Sequence, residues 1–225
     1  MYTTLPKSQT LVRSFFNRTY SWMTAGLALT AVIAYLTAQN QVLLGRVIDN
    51  YVLLIVAQFG IVLGLSFLIN RVSATVASVL FMLYSALTGL TFATLFLRYS
   101  AGDITAAFGV SAGMFGAMSL IGYTTKRDLT RFGGILLMAL IGLVVASIVN
   151  IFLASGPLTW IISILGVILF SALTAYDTQK IKEMYFEADA HETRSKKIVA
   201  GALSLYMDFI NLFLFLLRFF GSSRD

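Results

Sequence analysis

Residues 132–154 read FGGILLMALIGLVVASIVNIFLA, 23 residues without one charged side chain. A helix rises 1.5 Å per residue and needs about 20 mostly apolar residues to cross a hydrocarbon core roughly 30 Å thick. The stretch is long enough, and its residues do not alternate between polar and apolar as a membrane barrel strand would. It reads as a transmembrane helix. Working outward, six further runs have the same character: Tyr20–Ala38, Tyr51–Ile69, Ala74–Leu97, Ile104–Tyr123, Leu158–Tyr176 and Ile198–Leu217. The seven runs take up more than half of the 225 residues and leave short loops and two modest tails. The expected fold is all-α, a polytopic membrane protein forming a seven-transmembrane-helix bundle, with residues 1–225 as a single membrane domain.

The composition agrees. Hydrophobic residues make up 58% of the chain and charged residues 12%, with a mean hydropathy of +0.86. Soluble domains carry about 25% charged residues, so this chain could not cover a globular surface, and both disorder and an ordinary soluble enzyme are excluded. There is no cysteine, which removes disulfides, thiol nucleophiles and cysteine-ligated metals. The single histidine, His191, removes any multi-histidine metal cage.

The net charge of +6 would suggest nucleic acid only if the basic residues clustered on one polar face. They instead report topology. Lys7, Arg13, Arg18, Arg71, Lys126, Arg127, Arg131, Lys180, Lys182, Arg194, Lys196 and Lys197 fall on one side of the seven spans. Arg46, Arg98, Arg218 and Arg224 fall on the other. The positive-inside rule then puts the N-terminus inside and the C-terminus outside, and no nucleic-acid partner is expected. The first run exceeds the 7–15 apolar residues of a signal peptide and reads as a retained helix. The stretch Lys7–Tyr20 reads either as a short interfacial helix or as a basic flank of span one. Gly60 with Gly64, and Gly109 with Gly113, have the spacing that lets helix backbones approach. They predict packing within one chain, hence a monomer in membrane lipid.

Asp208 is the residue that this composition does not explain. It lies inside GALSLYMDFINLFLFLLR, residues 201–218. An aspartate at the centre of a spanning helix costs about 2.5–3.5 kcal/mol on insertion scales, so it needs a partner or a cavity. Ser204, Asp208 and Asn211 follow i, i+4, i+7 spacing and make one polar stripe. Asp177 ends span six, where Ser171 and Thr174 share its face.

These stretches resemble a known family. Residues 175–181, AYDTQKI, and residues 202–213, ALSLYMDFINLF, are similar to the two signature stretches of the Bax inhibitor-1 family. Residues 81–90, FMLYSALTGL, resemble its third-helix segment. The resemblance implies a seven-helix fold and a pH-sensitive calcium leak, and the short N-terminal tail is like that of bacterial members, hence a bacterial cytoplasmic (inner) membrane. Eukaryotic members are linked to suppression of cell death. By the same resemblance Asp177 and Asp208 match the family's paired aspartates, the pH sensor and gate, and Arg71 matches its basic latch. Thr174, Ser204 and Asn211 would form the supporting polar face. Calcium would be the permeant ion, held transiently by Asp177 and Asp208, with no cofactor. Spacing alone strains the pairing: Asp208 lies about 15 Å beyond Ile198, while Asp177 stands at the end of its span. The two meet only if span six stays helical past Asp177 and span seven starts deeper than Ile198.

Competing readings have less behind them. Paired intramembrane aspartates also suggest an aspartyl protease, but Leu205-Tyr206-Met207-Asp208 lacks the GxGD of such enzymes. Gly109-Val110-Ser111-Ala112-Gly113 matches GxSxG, yet that motif needs a strand–turn–helix elbow and a histidine base, and Ser111 lies inside a span. No enzyme activity is expected. The alternative to a leak is a non-catalytic membrane regulator that binds other membrane proteins through its sixth loop, Thr178–Lys197.

Overall fold

The computed structural model describes residues 7–69, 71–185 and 189–221. Asn70, Arg224 and part of the sixth loop therefore lie outside the described residues. Among the described residues nine α-helices follow in order: α1 (Lys7–Gln39), α2 (Gln41–Asp49), α3 (Tyr51–Leu68), α4 (Ala74–Phe92), α5 (Leu95–Arg98), α6 (Ala101–Thr124), α7 (Gly133–Leu153), α8 (Gly156–Met184) and α9 (His191–Phe220). Seven stretches among them are long and apolar enough to cross a membrane, and no strand occurs among the described residues. The all-α, seven-span expectation holds.

The ends of the helices are set by side chains that the apolar count ignores. Ser100 accepts from Asp103 N at 3.0 Å while Asp103 accepts from Ser100 N at 3.3 Å, a capping box that starts α6 three residues before the expected span. Ser73 caps α4 by accepting from Val76 N at 3.2 Å. Span three was expected to run unbroken to Leu97, but α4 stops at Phe92 and the chain resumes as α5. Thr91 and Thr94 donate their hydroxyls to the carbonyls of Thr88 and Thr91, which competes with the regular helical bonds there.

Two connections expected as loops are helical. α2 lies between spans one and two, started by Asn40, whose side chain accepts from Leu43 N at 3.0 Å, and it buries Leu44 and Val47. Most of the sixth loop belongs to helices as well, because α8 runs to Met184 and α9 begins at His191. The stretch Lys7–Tyr20 is continuous with span one inside α1, and Phe15 is buried with its ring 5.7 Å from that of Tyr185. A separate interfacial helix is therefore not formed.

The chain divides into two compact units, residues 1–98 with 183–206 and residues 99–182 with 207–225. In the first, α1 and α3 both pack on α4. Gly89 makes the first contact possible, since a Cβ there would lie 2.7 Å from the Thr30 carbonyl oxygen. In the second, α6 and α8 touch backbone to backbone, because a Cβ on Gly122 would collide with the Ala175 carbonyl. The expected close packing at Gly60, Gly64, Gly109 and Gly113 is absent: nothing lies within 4 Å of a Cβ built at any of them. GxxxG spacing permits approach, but these glycines lie on faces that the fold leaves open. α3 buries only Leu65 and α7 only Leu143, so both present apolar side chains outward as lipid-facing helices do.

Candidate functional site

The second unit brings α6, α8 and the later part of α9 together. α8 meets α9 at Gly166, where a Cβ would lie 2.5 Å from the Phe215 ring, and at Phe170, stacked on Phe215 at 5.8 Å. α6 meets α9 through Phe115 and Phe108, whose rings lie 5.6 and 5.3 Å from that of Phe209. Asp208 directly precedes Phe209, so the aromatic contacts that seat Phe209 also hold Asp208 within the packed interior.

Asp208 is 5% exposed, and its Oδ2 has no hydrogen-bond partner among the described residues. Asp177, half-buried on α8, lies near enough for the two charges to act on each other. The first condition stated for their meeting is fulfilled, since α8 remains helical seven residues past Asp177, while α9 is helical from His191, seven residues before Ile198. Two carboxylates in contact titrate as a pair.

The other expected residues are placed as follows. Thr174 is fully buried and donates to the Phe170 carbonyl at 2.7 Å, one turn back on α8. Asn211 donates to the Met207 carbonyl at 2.8 Å on α9. Ser204 is half-buried one turn before Asp208. Arg71 is exposed in the turn before α4, and no ion pair among the described residues includes it. The structure adds Ser119 on α6 and singles out Ser171 on α8. Both are buried, at 7% and 8% exposure, and neither hydroxyl has a partner among the described residues. The sequence signal for Ser119 is its register: Ser111, Phe115, Ser119 and Gly122 line the buried face of α6. Ser111, the serine of the chance GxSxG match, is fully buried within that helix and donates to the Ala107 carbonyl at 2.7 Å. Among the described residues no group of three or more histidines or acids could hold a metal ion.

A polar cluster that sequence reading missed lies in the first unit. Tyr206, fully buried, shares a 2.6 Å hydroxyl contact with Thr30, which donates to the Ser85 carbonyl at 2.8 Å. The rings of Phe81 and Tyr84 stand edge-on to it at 5.6 and 5.7 Å.

Comparison with known proteins bears on what this arrangement is. The family model described as inhibitor of apoptosis-promoting Bax1 matches residues 12–225. The chain belongs to the Bax inhibitor-1 family. It is 50% identical over 230 residues to the inner membrane protein YbhL of Escherichia coli strain K12, covering 97% of this chain and 98% of that protein. A protein of Deinococcus radiodurans is also 50% identical, over 99% of this chain and 96% of its own length. One from Borreliella burgdorferi is 43% identical, over 99% of this chain and 98% of its own. The two stretches similar to the family's signatures, residues 175–181 and 202–213, lie in α8 and α9 and carry Asp177 and Asp208. This family member is a multi-pass membrane protein.

Proposed function

We propose that the protein is a pH-sensitive cation leak, with calcium as the permeant ion, in a bacterial cytoplasmic membrane, N-terminus inside and C-terminus outside. The observation that carries this reading is the Asp208 carboxylate, enclosed among apolar helices with an oxygen that no described residue bonds, beside a second carboxylate. A buried acid of this kind is expensive in a membrane protein, and such acids mark ion or proton pathways. Calcium prefers 6–8 oxygen ligands, which two aspartates cannot supply. Asp177 and Asp208, with serine hydroxyls, carbonyls and water, make a weak and transient site, which suits passage better than storage.

Gating follows from the shared protons. With the pair charged, charge-assisted bonds to the basic latch close the inner end, a role that the resemblance gives to Arg71. Mild acid weakens that hold and opens the path. Full protonation removes the charge that attracts calcium, so flux rises and then falls as pH drops. The inner membrane named for the Escherichia coli relative supports the location, and the twelve-to-four distribution of basic residues supports the orientation. The protein acts as a monomer in lipid, without a resident cofactor.

The test is calcium flux into liposomes holding purified protein, from pH 8 to pH 5, for wild type, Asp177→Asn, Asp208→Asn and Arg71→Ala. Both asparagine variants are expected to lose the pH response, and Arg71→Ala to leak more at pH 8. Asparagine variants that fold and keep the wild-type profile would remove the pair as the sensor, and an unchanged leak in Arg71→Ala would remove the latch. A wild type that passes no ion without another protein present would favour the membrane regulator instead.

A further inference from the structure

The rim formed by the α6–α7 loop and residues 176–182 of α8 belongs to the second unit and takes no part in the leak proposed above. Lys126, Arg127 and Arg131 in the loop are exposed, as are Lys180 and Lys182 on α8. The two segments are tied together by a side chain that composition would never single out. Gln179, 6% exposed, donates from Nε2 to the Arg127 carbonyl at 2.9 Å and accepts at Oε1 from Leu129 N at 2.7 Å. Lys182 Nζ donates to the Tyr123 carbonyl at 2.9 Å and lies 4.9 Å from the centre of the Tyr123 ring. A buried amide that satisfies two main-chain groups of one loop gives that loop a defined shape, and with it the spacing of the cations it carries.

The acids near the rim are fewer. Asp128 is occupied by Thr130 and Arg131, Glu183 follows Lys182 in an exposed position, and Asp177 stands one turn before Lys180 on α8. The rim also lies where the membrane-crossing α6 ends, at Thr124, and α7 begins, at Gly133. Aromatic rings mark that level, as they do at membrane interfaces: Tyr123, Tyr176 with Lys180 over its ring at 5.7 Å, and Phe132, 51% exposed.

We propose that this rim is a binding site for the phosphate of an anionic phospholipid. Arg127 and Arg131 offer planar guanidinium donors and the lysines offer point charges, the combination that phosphate oxygens accept. Phe132 lies beside them for the upper part of an acyl chain. Basic residues that serve only to orient the chain in the membrane need a side but no shape. The glutamine tie supplies a shape, since a loop already held in place loses less freedom when the headgroup binds.

Purified full-length protein in neutral detergent, titrated in parallel with phosphatidylglycerol and phosphatidylcholine, tests this, with bound lipid counted by native mass spectrometry. Wild type is expected to retain phosphatidylglycerol preferentially. Replacing Lys126, Arg127 and Arg131 together by glutamine should weaken that binding by about tenfold or more and leave phosphatidylcholine unaffected. Lys180→Gln with Lys182→Gln should act in the same direction. Gln179→Ala changes no charge and should still weaken binding severalfold, whereas the equally discharged control Lys7→Gln, Arg13→Gln, Arg18→Gln should bind as wild type does. If the triple loop variant does not fold, Gln179→Ala and the α8 pair decide the matter. The proposal is overturned by a wild type with no preference, by a control that loses as much as the loop variant, or by Gln179→Ala binding unchanged.

Discussion

Tyr206 and Asp208 stand two residues apart on α9, and their polar atoms are buried on different terms. Around Tyr206 the hydroxyls are used. Thr30 bonds Tyr206 and the Ser85 carbonyl, Ser85 bonds the Phe81 carbonyl at 3.0 Å, and Thr88 bonds the Tyr84 carbonyl at 2.9 Å. Asp208 differs: its Oδ2 is buried without a partner among the described residues, as are the hydroxyls of Ser119 on α6 and Ser171 on α8. A neutral cluster with its bonds made rigidifies the helices that share it. Buried polar groups with bonds left over forgo stability, and an acid among them is what the leak proposed above requires.

The sharpest way to break this contrast is to exchange the consequences. Asp208→Asn removes the charge and should abolish the pH response of calcium flux while the protein still folds, as read by liposome flux and circular dichroism. Tyr206→Phe removes one hydroxyl from a bonded cluster and should cost about 1 kcal/mol in a detergent unfolding titration. Its flux profile against pH should follow wild type, and a displaced profile would show that the Tyr206 cluster is more than packing. Ser119→Ala and Ser171→Ala should each change stability by less than about 0.5 kcal/mol, because no bond of theirs to a described residue is lost. A loss of 2 kcal/mol or more would show that those hydroxyls are bonded after all.

The smallest effect lies outside the membrane, at Asp128. Bonds from the Thr130 hydroxyl and Thr130 N, helped by Arg131, hold its carboxyl below the ordinary 3.8. A carboxyl depressed on folding adds stability above its unfolded value and loses it as pH falls through the folded one. Thr130→Val should therefore bring the Asp128 titration back up toward 3.8, measured by carbon-13 NMR of labelled aspartate, with little change in stability at neutral pH.

Some of the site was legible before any coordinates because the membrane makes composition informative. Apolar length alone placed seven spans, and Asp208 stood out because an acid there needs a reason. The ends of the spans were less legible. Lys180, Lys182, Lys196 and Lys197 made the sixth connection look like solvated loop, yet helices need no apolar residues once they leave the hydrocarbon, so α8 and α9 extend through charged sequence. The extension of α8 carries that helix seven residues past Asp177. The glycines mislead in the opposite sense. Gly60, Gly64, Gly109 and Gly113 have the spacing of a contact and face open space, whereas Gly89 and Gly122, without that spacing, carry the close approaches.

The amino-acid sequence by itself determined that this chain crosses a membrane seven times and that one of its acids lies within a span, because hydrocarbon thickness and the cost of a buried charge act on each residue regardless of its neighbours. Which buried hydroxyls go unbonded among the described residues and which glycines let backbones touch were decided only by the tertiary structure. Those properties belong to pairs of residues far apart in the chain. A helix presents every side of itself, and only packing selects the one that matters.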